Sequence, residues 1–328
     1  MKLKFDLFFV LFLILVSCNT EESPKEIKIM EYNDSSEYIA IFGDIQHYTN
    51  AGYISLYQYS CDWILAQKHA GMNINSVLHT GDVTQTNAKG EWNCFYNATQ
   101  ELAKEIPYIS AIGDHDYTWD GAAIYDRNST YFSEYLNFPL TKQKVVAWFE
   151  KGHMENIVVE NYIHGLPIYF LVLEFGPRKE VVEWANEYVK NHPDIRFVLI
   201  NHEYLESGGG RRTEGLKCVL RFKQNTNTTY TTPTQLWNQL IKNNNNILCV
   251  LCGHVASLYA YTLDKNDYGR EVPQIQHNIQ STKYLYDNWL MLWEFPKESD
   301  SVNVQIINAG SLNYYNNNPV LLRFKYKM

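Results

Sequence analysis

Residues 38–47 read Tyr-Ile-Ala-Ile-Phe-Gly-Asp-Ile-Gln-His. Tyr38, Ile39, Ile41 and Phe42 are aromatic or β-branched, the types a buried strand favours. Gly43 lets the chain turn where the strand stops. Asp44 and Gln46 then stand two residues apart at its carboxyl end. In open α/β sheets ligands bind at that end of a strand. An Asp after a strand is also an ordinary helix N-cap or turn residue, so this stretch alone leaves both readings open.

The pattern recurs. Residues 76–82 read Ser-Val-Leu-His-Thr-Gly-Asp, and residues 107–116 read Pro-Tyr-Ile-Ser-Ala-Ile-Gly-Asp-His-Asp. Residues 196–202 read Arg-Phe-Val-Leu-Ile-Asn-His, and residues 247–254 read Ile-Leu-Cys-Val-Leu-Cys-Gly-His. Each apolar strand delivers Asp, Asn or His at its carboxyl end. Oxygen and imidazole donors together suit Mn, Fe or Zn rather than a thiolate site. Any one of these residues could be a satisfied turn residue; their coincidence points to a metal cluster.

On these motifs the chain resembles the calcineurin-like metallophosphoesterases. Gly43-Asp44-Ile45-Gln46 matches the family's Asp-x-His, with Gln46 in place of His. Gly81-Asp82 matches its Gly-Asp, and Gly113-Asp114-His115-Asp116 its Gly-Asn-His-Asp/Glu, with Asp114 in place of Asn. Asn201-His202 matches the lone His after a strand, and Gly253-His254-Val255-Ala256 the Gly-His-x-His, with Ala256 replacing the last His. The resemblance spans about residues 37–310 in order and spacing. It implies an α/β fold of two facing mixed sheets flanked by helices, a four-layer sandwich.

The resemblance also implies hydrolysis of a phosphate mono- or diester by a metal-bridging hydroxide. Two divalent ions (Mn, Fe or Zn) about 3.5–4 Å apart activate the water and clamp the phosphoryl oxygens. Asp82 would bridge them; Asp44 and Gln46 would serve the first ion, and Asp114, His202 and His254 the second. His115 would stand beside the leaving oxygen as acid, oriented by Asp116. Without a histidine at 256 the first site keeps a weaker shell, and His47, His79 or His277 are the substitutes on offer. In an extended segment Ala256 would share a side with His254, so a histidine placed there would reach the cluster. Asp114 adds a negative charge that holds the ions harder and makes them poorer electrophiles. The alternative is a degenerate surface protein that binds a phosphorylated or carbohydrate ligand with little or no turnover.

Other residues are candidates for substrate binding. Arg211 and Arg212, in a Gly-rich loop soon after His202, could grip a phosphate through forked donors. His47 and Asn278 could line the pocket. Tyr48, Tyr117 and Trp119 could form a stacking wall or simply pack. The partner expected is a phosphorylated small molecule, a nucleotide or a lipid headgroup. A net charge of −8 argues against an extended nucleic-acid footprint.

Residues 1–17 read as a secretory signal: a basic start, then an apolar run from Phe5 to Val16 too short for a permanent span. Leu15-Val16-Ser17-Cys18 resembles a bacterial lipoprotein processing site, with Cys18 lipidated; an ordinary signal with an incidental cysteine is the alternative. Residues 18–36 are polar and acidic, as a tether would be. The expectation is an exported lipoprotein on the outer membrane or cell surface, or in the periplasm, held to the membrane by its lipid.

Residues 37–328 then form one catalytic domain. Strands at 38–44, 76–81 and 107–112 alternate with helical stretches at 56–69 and 91–105, which predicts parallel strands with crossover helices. Residues 117–165 break the pattern and read as an insertion beside the site. Helices at 179–191 and 233–243 flank the strands ending at His202 and His254. After residue 257 strand follows strand (258–262, 274–280, 289–295, 302–307), predicting an antiparallel half packed on the first sheet. Cys249 and Cys252 have zinc-knuckle spacing but lie inside an apolar strand, where buried thiols are the better reading.

Overall fold

Strand β1 (Glu37–Phe42) leads through helices α1 (Gln46–Asn50) and α2 (Ile54–His69) to β2 (Ile74–His79), then through α3 (Lys89–Glu105) to β3 (Tyr108–Ser110). β1 pairs parallel with β2 and β2 with β3, as βαβ crossovers require. This computed structural model describes residues 26–50, 52–119, 125–137, 144–212, 222–223, 230–280, 283–285 and 287–327. The expected signal segment, Cys18 and the start of the tether lie outside the described residues.

A ribbon of β4 (Thr118–Trp119) and β5 (Tyr125–Asp126) and a short helix α4 (Phe132–Asn137) come next. The second sheet then begins with β6 (Lys144–Trp148), β7 (Ile157–Glu160), β8 (Tyr162–Ile163) and β9 (Leu166–Leu173). The segment 117–165 therefore divides: its end belongs to the second sheet, and only the part before Lys144 stands apart from it. Helix α5 (Lys179–Asn191), β10 (Arg196–Asn201), α6 (Pro233–Leu236) and β11 (Ile247–Cys252) continue the alternation. Thr232 and Gln235 cap α6 reciprocally, and the helix widens into a π-turn over Trp237–Ile241.

The last strands are β12 (Ala260–Lys265), β13 (Glu271–Gln276), β14 (Trp289–Phe295), β15 (Ser301–Asn308) and β16 (Leu322–Lys325). They do not make one antiparallel half packed on the first sheet. β13 joins β11 in parallel and carries β12 at the sheet edge. β14 pairs antiparallel with β1 itself, and β15 and β16 extend that same sheet. The result is two mixed sheets, ordered β16-β15-β14-β1-β2-β3 and β12-β13-β11-β10-β9-β7-β6. Leu290, Met291, Leu292 and Trp293 are all fully buried, so β14 needs cover on both faces. An apolar run reports that burial but not which edge will receive the strand.

Alternating side chains assign the faces. Ile168, Phe170 and Val172 of β9 and Val198 and Ile200 of β10 share one core with Ile39 and Ile41 of β1, between the sheets. Leu171, Leu173, Phe197 and Leu199 face the other way, onto Val181, Val182 and Ala185 of α5. Each such buried aliphatic side chain contributes about 1.5–3 kcal/mol. Cys249 and Cys252 fall in these two different cores. On the far side of the first sheet, Phe42 meets Tyr57 edge-on at 4.9 Å, and the Tyr57 and Tyr108 hydroxyls lie 2.9 Å apart.

Within residues 26–36, expected as the end of a tether, the stretch from 26 to 32 lies against α2, and Ser36 bonds Glu294 of β14. The Lys28 carbonyl accepts hydrogen bonds from Trp63 Nε1 and Gln67 Nε2, Met30 N donates to Gln67 Oε1 at 2.9 Å, and Met30 is buried. A buried glutamine on α2 has to satisfy its amide, and the passing backbone does so.

Candidate metal centre

The carboxyl ends of β1, β2, β3, β10 and β11 converge. Asp44, Asp82, Asp114 and His202 are buried there, with His254 partly covered. Ligand atoms of Asp82, Asp114, His202 and His254 all lie within 4.8 Å of one another. Asp82 and His254 have φ of +56° and +67°, the left-handed region that side chains seldom adopt. Such strain costs about 1–3 kcal/mol per residue and persists where surrounding structure imposes it. Glycines make the close approach feasible: a Cβ on Gly113 would fall 2.0 Å from Asp82 Oδ1, and one on Gly253 would fall 2.2 Å from Asp44 Oδ1.

Hydrogen bonds aim each ligand. The main-chain N–H of His115 donates to Asp82 Oδ1 at 3.1 Å, and Gln46 Nε2 donates to Asp82 Oδ2 at 2.9 Å. His202 Nδ1 lies 2.9 Å from the Thr80 carbonyl, which can only accept, so Nδ1 carries the proton and Nε2 turns inward. That Nε2 is 3.3 Å from Asp82 Oδ1 and 3.4 Å from Asp114 Oδ1. His254 Nδ1 is 3.2 Å from Asp114 Oδ1. Asp44 accepts from Thr80 Oγ1, from His254 N and from Asn278 Nδ2, the last at 2.7 Å. Tyr125 donates to Asp114 Oδ2 at 3.3 Å.

The donor set fits a divalent cation. Among the described residues nothing donates a hydrogen bond to buried Asp114 Oδ1 or Gln46 Oε1, and carboxylate and imidazole atoms crowd together as they would around an ion. Electrostatics agree. Burial, reinforced by the charge of Asp82, pushes Asp44 up to about 7. Burial works to lower His254, but Glu203 and Asp114 outweigh it and raise it to about 9. Burial works to raise Asp114, yet His254 and His202 hold it well below the carboxylate range. Protons balance the clustered negative charge in the metal-free chain, which is the role a cation would take.

Asp116 is placed differently from the expectation. His115 Nδ1 lies 2.8 Å from the Gln85 carbonyl and so donates to it, leaving Nε2 for proton transfer. Burial opposes protonation of His115, but Asp82 and Asp114 raise its pKa. Asp116 does not orient this imidazole. Its oxygens accept from Thr84 N, Thr84 Oγ1 and Gly113 N, so it braces the Gly113 turn under Asp82.

Of the substrate-binding candidates, Asn278 touches Asp44, and His47 stands on α1, where burial, and after it the charge of His115, lowers its pKa. Arg211 points elsewhere: it donates to Asp264 at 2.9 Å and Gln274 at 3.0 Å and lies over the Trp237 ring. Arg212 pairs with Glu203 at 2.7 Å and Glu206 at 3.0 Å. The Gly-rich loop folds back on itself through Glu206 N to Gly210 O, which directs both guanidinium groups to protein carboxylates. Tyr48 and Tyr117 are buried packing residues rather than a wall, and the Trp119 side chain lies outside the described parts. His79 stacks on Tyr108, and His277 Nδ1 donates to the Leu258 carbonyl. Ala256 is exposed in a bend after the left-handed His254, so the extended geometry expected there is absent.

The sequence reading missed Thr80, Tyr125 and Glu203. Strand alternation would send Glu203 away from His202, but the strand ends at Asn201 and the rule ends with it.

A family model described as calcineurin-like phosphoesterase matches residues 38–260, more than half of the chain. Uncharacterized protein YvnB of Bacillus subtilis (strain 168) is 25% identical over 292 residues, covering 83% of this chain but 20% of YvnB. The chain thus spans about a fifth of that curated relative. Two solved structures match at low similarity. An uncharacterized Streptococcus pneumoniae protein, titled a predicted phosphoesterase, has a TM-score of 0.36 at 9% identity, covering 89% of this chain and 98% of its own. The Thermus thermophilus sulfate thiohydrolase SoxB has a TM-score of 0.46 at 10% identity, covering 88% of this chain and 59% of its own. On the family match and the motif residues it contains, this chain belongs to the calcineurin-like phosphoesterase family.

Proposed function

We propose that this protein hydrolyses a phosphate mono- or diester with two divalent cations. The observation that carries the reading is the buried convergence of Asp82, Asp114, His202 and His254 beside His115. Those four would hold one cation; Asp44 and Gln46, with Asp82 shared, would hold the other more weakly. Bound divalent cations lower the pKa of water and neutralise phosphoryl oxygens. His115 binds beside the leaving oxygen and gives it a proton from Nε2, its Nδ1 proton being held by Gln85. Asp82, fixed by the His115 N–H and the Gln46 amide, keeps both halves of the site in register. The substrate belongs among phosphorylated small molecules, nucleotides or lipid headgroups, and the protein is anchored outside the cytoplasm through Cys18.

One observation favours a second reading, a ligand-binding protein with little turnover. Asp44 already accepts three protein hydrogen bonds, and Ala256 offers no ligand. The deciding experiment measures metal content and turnover of aryl phosphate mono- and diesters by protein loaded with Mn or Zn. Turnover lost in His115→Ala while metal is retained supports the hydrolase. Full metal content with no turnover on either ester overturns it in favour of the binding reading.

A further inference from the structure

Glu203 has no part in the ligand set above, yet it is fully covered: its side chain is 0% exposed. Neither carboxylate oxygen has a hydrogen-bond partner among the described residues. An ionised carboxylate in that position is expensive unless a charge-bearing donor faces it. Two groups do. Arg212 Nη1 lies 2.7 Å from Oε1, and His254 Nε2 lies 3.5 Å from the same oxygen. The opposite nitrogen of that imidazole, Nδ1, faces Asp114 and His202, 3.2 Å from each. His254 is thus sandwiched between the ligand cluster and a buried carboxylate. Its backbone is held at φ +67°, and its ring packs 5.6 Å from Phe175, so the ring has little freedom to swing.

We infer that Glu203 is the positioning residue for His254, accepting the Nε2 proton so that Nδ1 presents its lone pair to the metal. This rests on the metal-binding reading above. The chemistry is general: a carboxylate on the outer nitrogen of a ligating imidazole fixes its tautomer, aims the ring and raises its basicity, and losing it costs about 10–100-fold in metal affinity. Arg212, 2.7 Å from Oε1, is the counter-charge that offsets part of the cost of burying this carboxylate. Because Arg212 also pairs with Glu206, it links the 205–212 loop to the metal site through one buried carboxylate.

The test uses Co²⁺ as the probe metal, with affinity from chelator competition and geometry from the visible absorption bands of the bound ion. Glu203→Gln keeps size and an acceptor but loses the charge; it should weaken Co²⁺ about tenfold with bands little changed. Glu203→Asp shortens the reach to Nε2 and should weaken binding and shift the bands while keeping the charge. In a His254→Ala background, Glu203→Gln should change affinity less than about twofold, because the group it acts through is gone. A purely structural role predicts equal losses in both backgrounds, unaltered bands in Glu203→Asp, and no dependence on His254; those results overturn the inference. Should Glu203→Gln fail to fold, the Glu203→Asp bands and affinity decide alone. Native protein that takes up no Co²⁺ sinks the metal-binding reading itself. Native uptake with unaltered affinity in Glu203→Gln and Glu203→Asp sinks only the role of Glu203.

Discussion

Replacing Gly113 by alanine should damage the site far more than the fold. A Cβ at this position would lie 2.0 Å from Asp82 Oδ1, 2.4 Å from the Asp82 backbone nitrogen and 2.8 Å from Asp82 Cγ. Gly113 has a φ of −96°, which alanine adopts freely, so the conflict is purely with its neighbour. Cβ contacts under 3.0 Å are essentially never seen, so Asp82 must withdraw by about 1 Å, and its backbone with it. Overpacking of this kind costs about 1–3 kcal/mol. Against a typical stability of about 5–15 kcal/mol the protein still folds. A 1 Å misplacement at a reacting centre, by contrast, costs about 100-fold in rate. Gly113→Ala should therefore melt about 2–12 °C below the native protein, lose metal, and hydrolyse aryl phosphates at about a hundredth of the native kcat/KM or less. Gly208→Ala, which meets nothing within 4 Å, is the matched control and should leave all three unchanged. Metal content, a thermal melt and turnover check it. Native metal content and native rate in Gly113→Ala would refute the steric reasoning, and complete failure to fold would show that Gly113 serves the fold first.

Asp82→Ala removes the acceptor shared by Gln46 and the His115 N–H, and should lower metal content at both positions, measured by elemental analysis against native protein. His115→Ala should cut kcat about 10²–10⁴-fold with metal content kept; a matching loss of metal would place His115 among the ligands instead. Metal-free protein should lose stability as pH rises. Asp44, Asp116 and Glu203 are raised by burial from 3.8, 3.8 and 4.5 to about 7, and His254 is raised from 6.5 to about 9. His79 and His277, pushed down by burial to about 3 and about 4, work in the opposite sense below about pH 6.5, so the folded chain holds its excess of protons over the unfolded one mainly between about pH 6.5 and 9, and its melting temperature should fall across that window. Added Mn or Zn should raise the melt more at pH 8 than at pH 5, and a flat profile with no metal effect would contradict the cluster's electrostatics. Cys18→Ala should move the protein from the membrane fraction to the soluble one, since stable anchoring needs more than a single acyl chain.

What the sequence by itself determined was the site's list of parts and the strands that carry them. Asp44, Asp82, Asp114, His202 and His254 are legible because each follows an apolar strand, and a parallel strand can only deliver its last residue to one end of the sheet. The helices between them are legible as helical stretches, as at 56–69, 91–105 and 179–191, which the structure places at Ile54–His69, Lys89–Glu105 and Lys179–Asn191. Only the tertiary structure decided the rest, because it depends on long-range contacts that no local pattern encodes. Burial of β14 was readable, but its antiparallel pairing with β1 was not, since hydrophobicity does not name a partner edge. Arg211 and Arg212 looked free to hold phosphate, whereas folding brings Asp264, Glu203 and Glu206 to them. Asp116 looked like the partner of His115, yet the turn sends its carboxylate to Thr84 and Gly113 and leaves a carbonyl from Gln85 for the imidazole. Glu203 gave no signal because, past the end of β10, alternation no longer governs where a side chain points, and only the folded chain sets it behind His254.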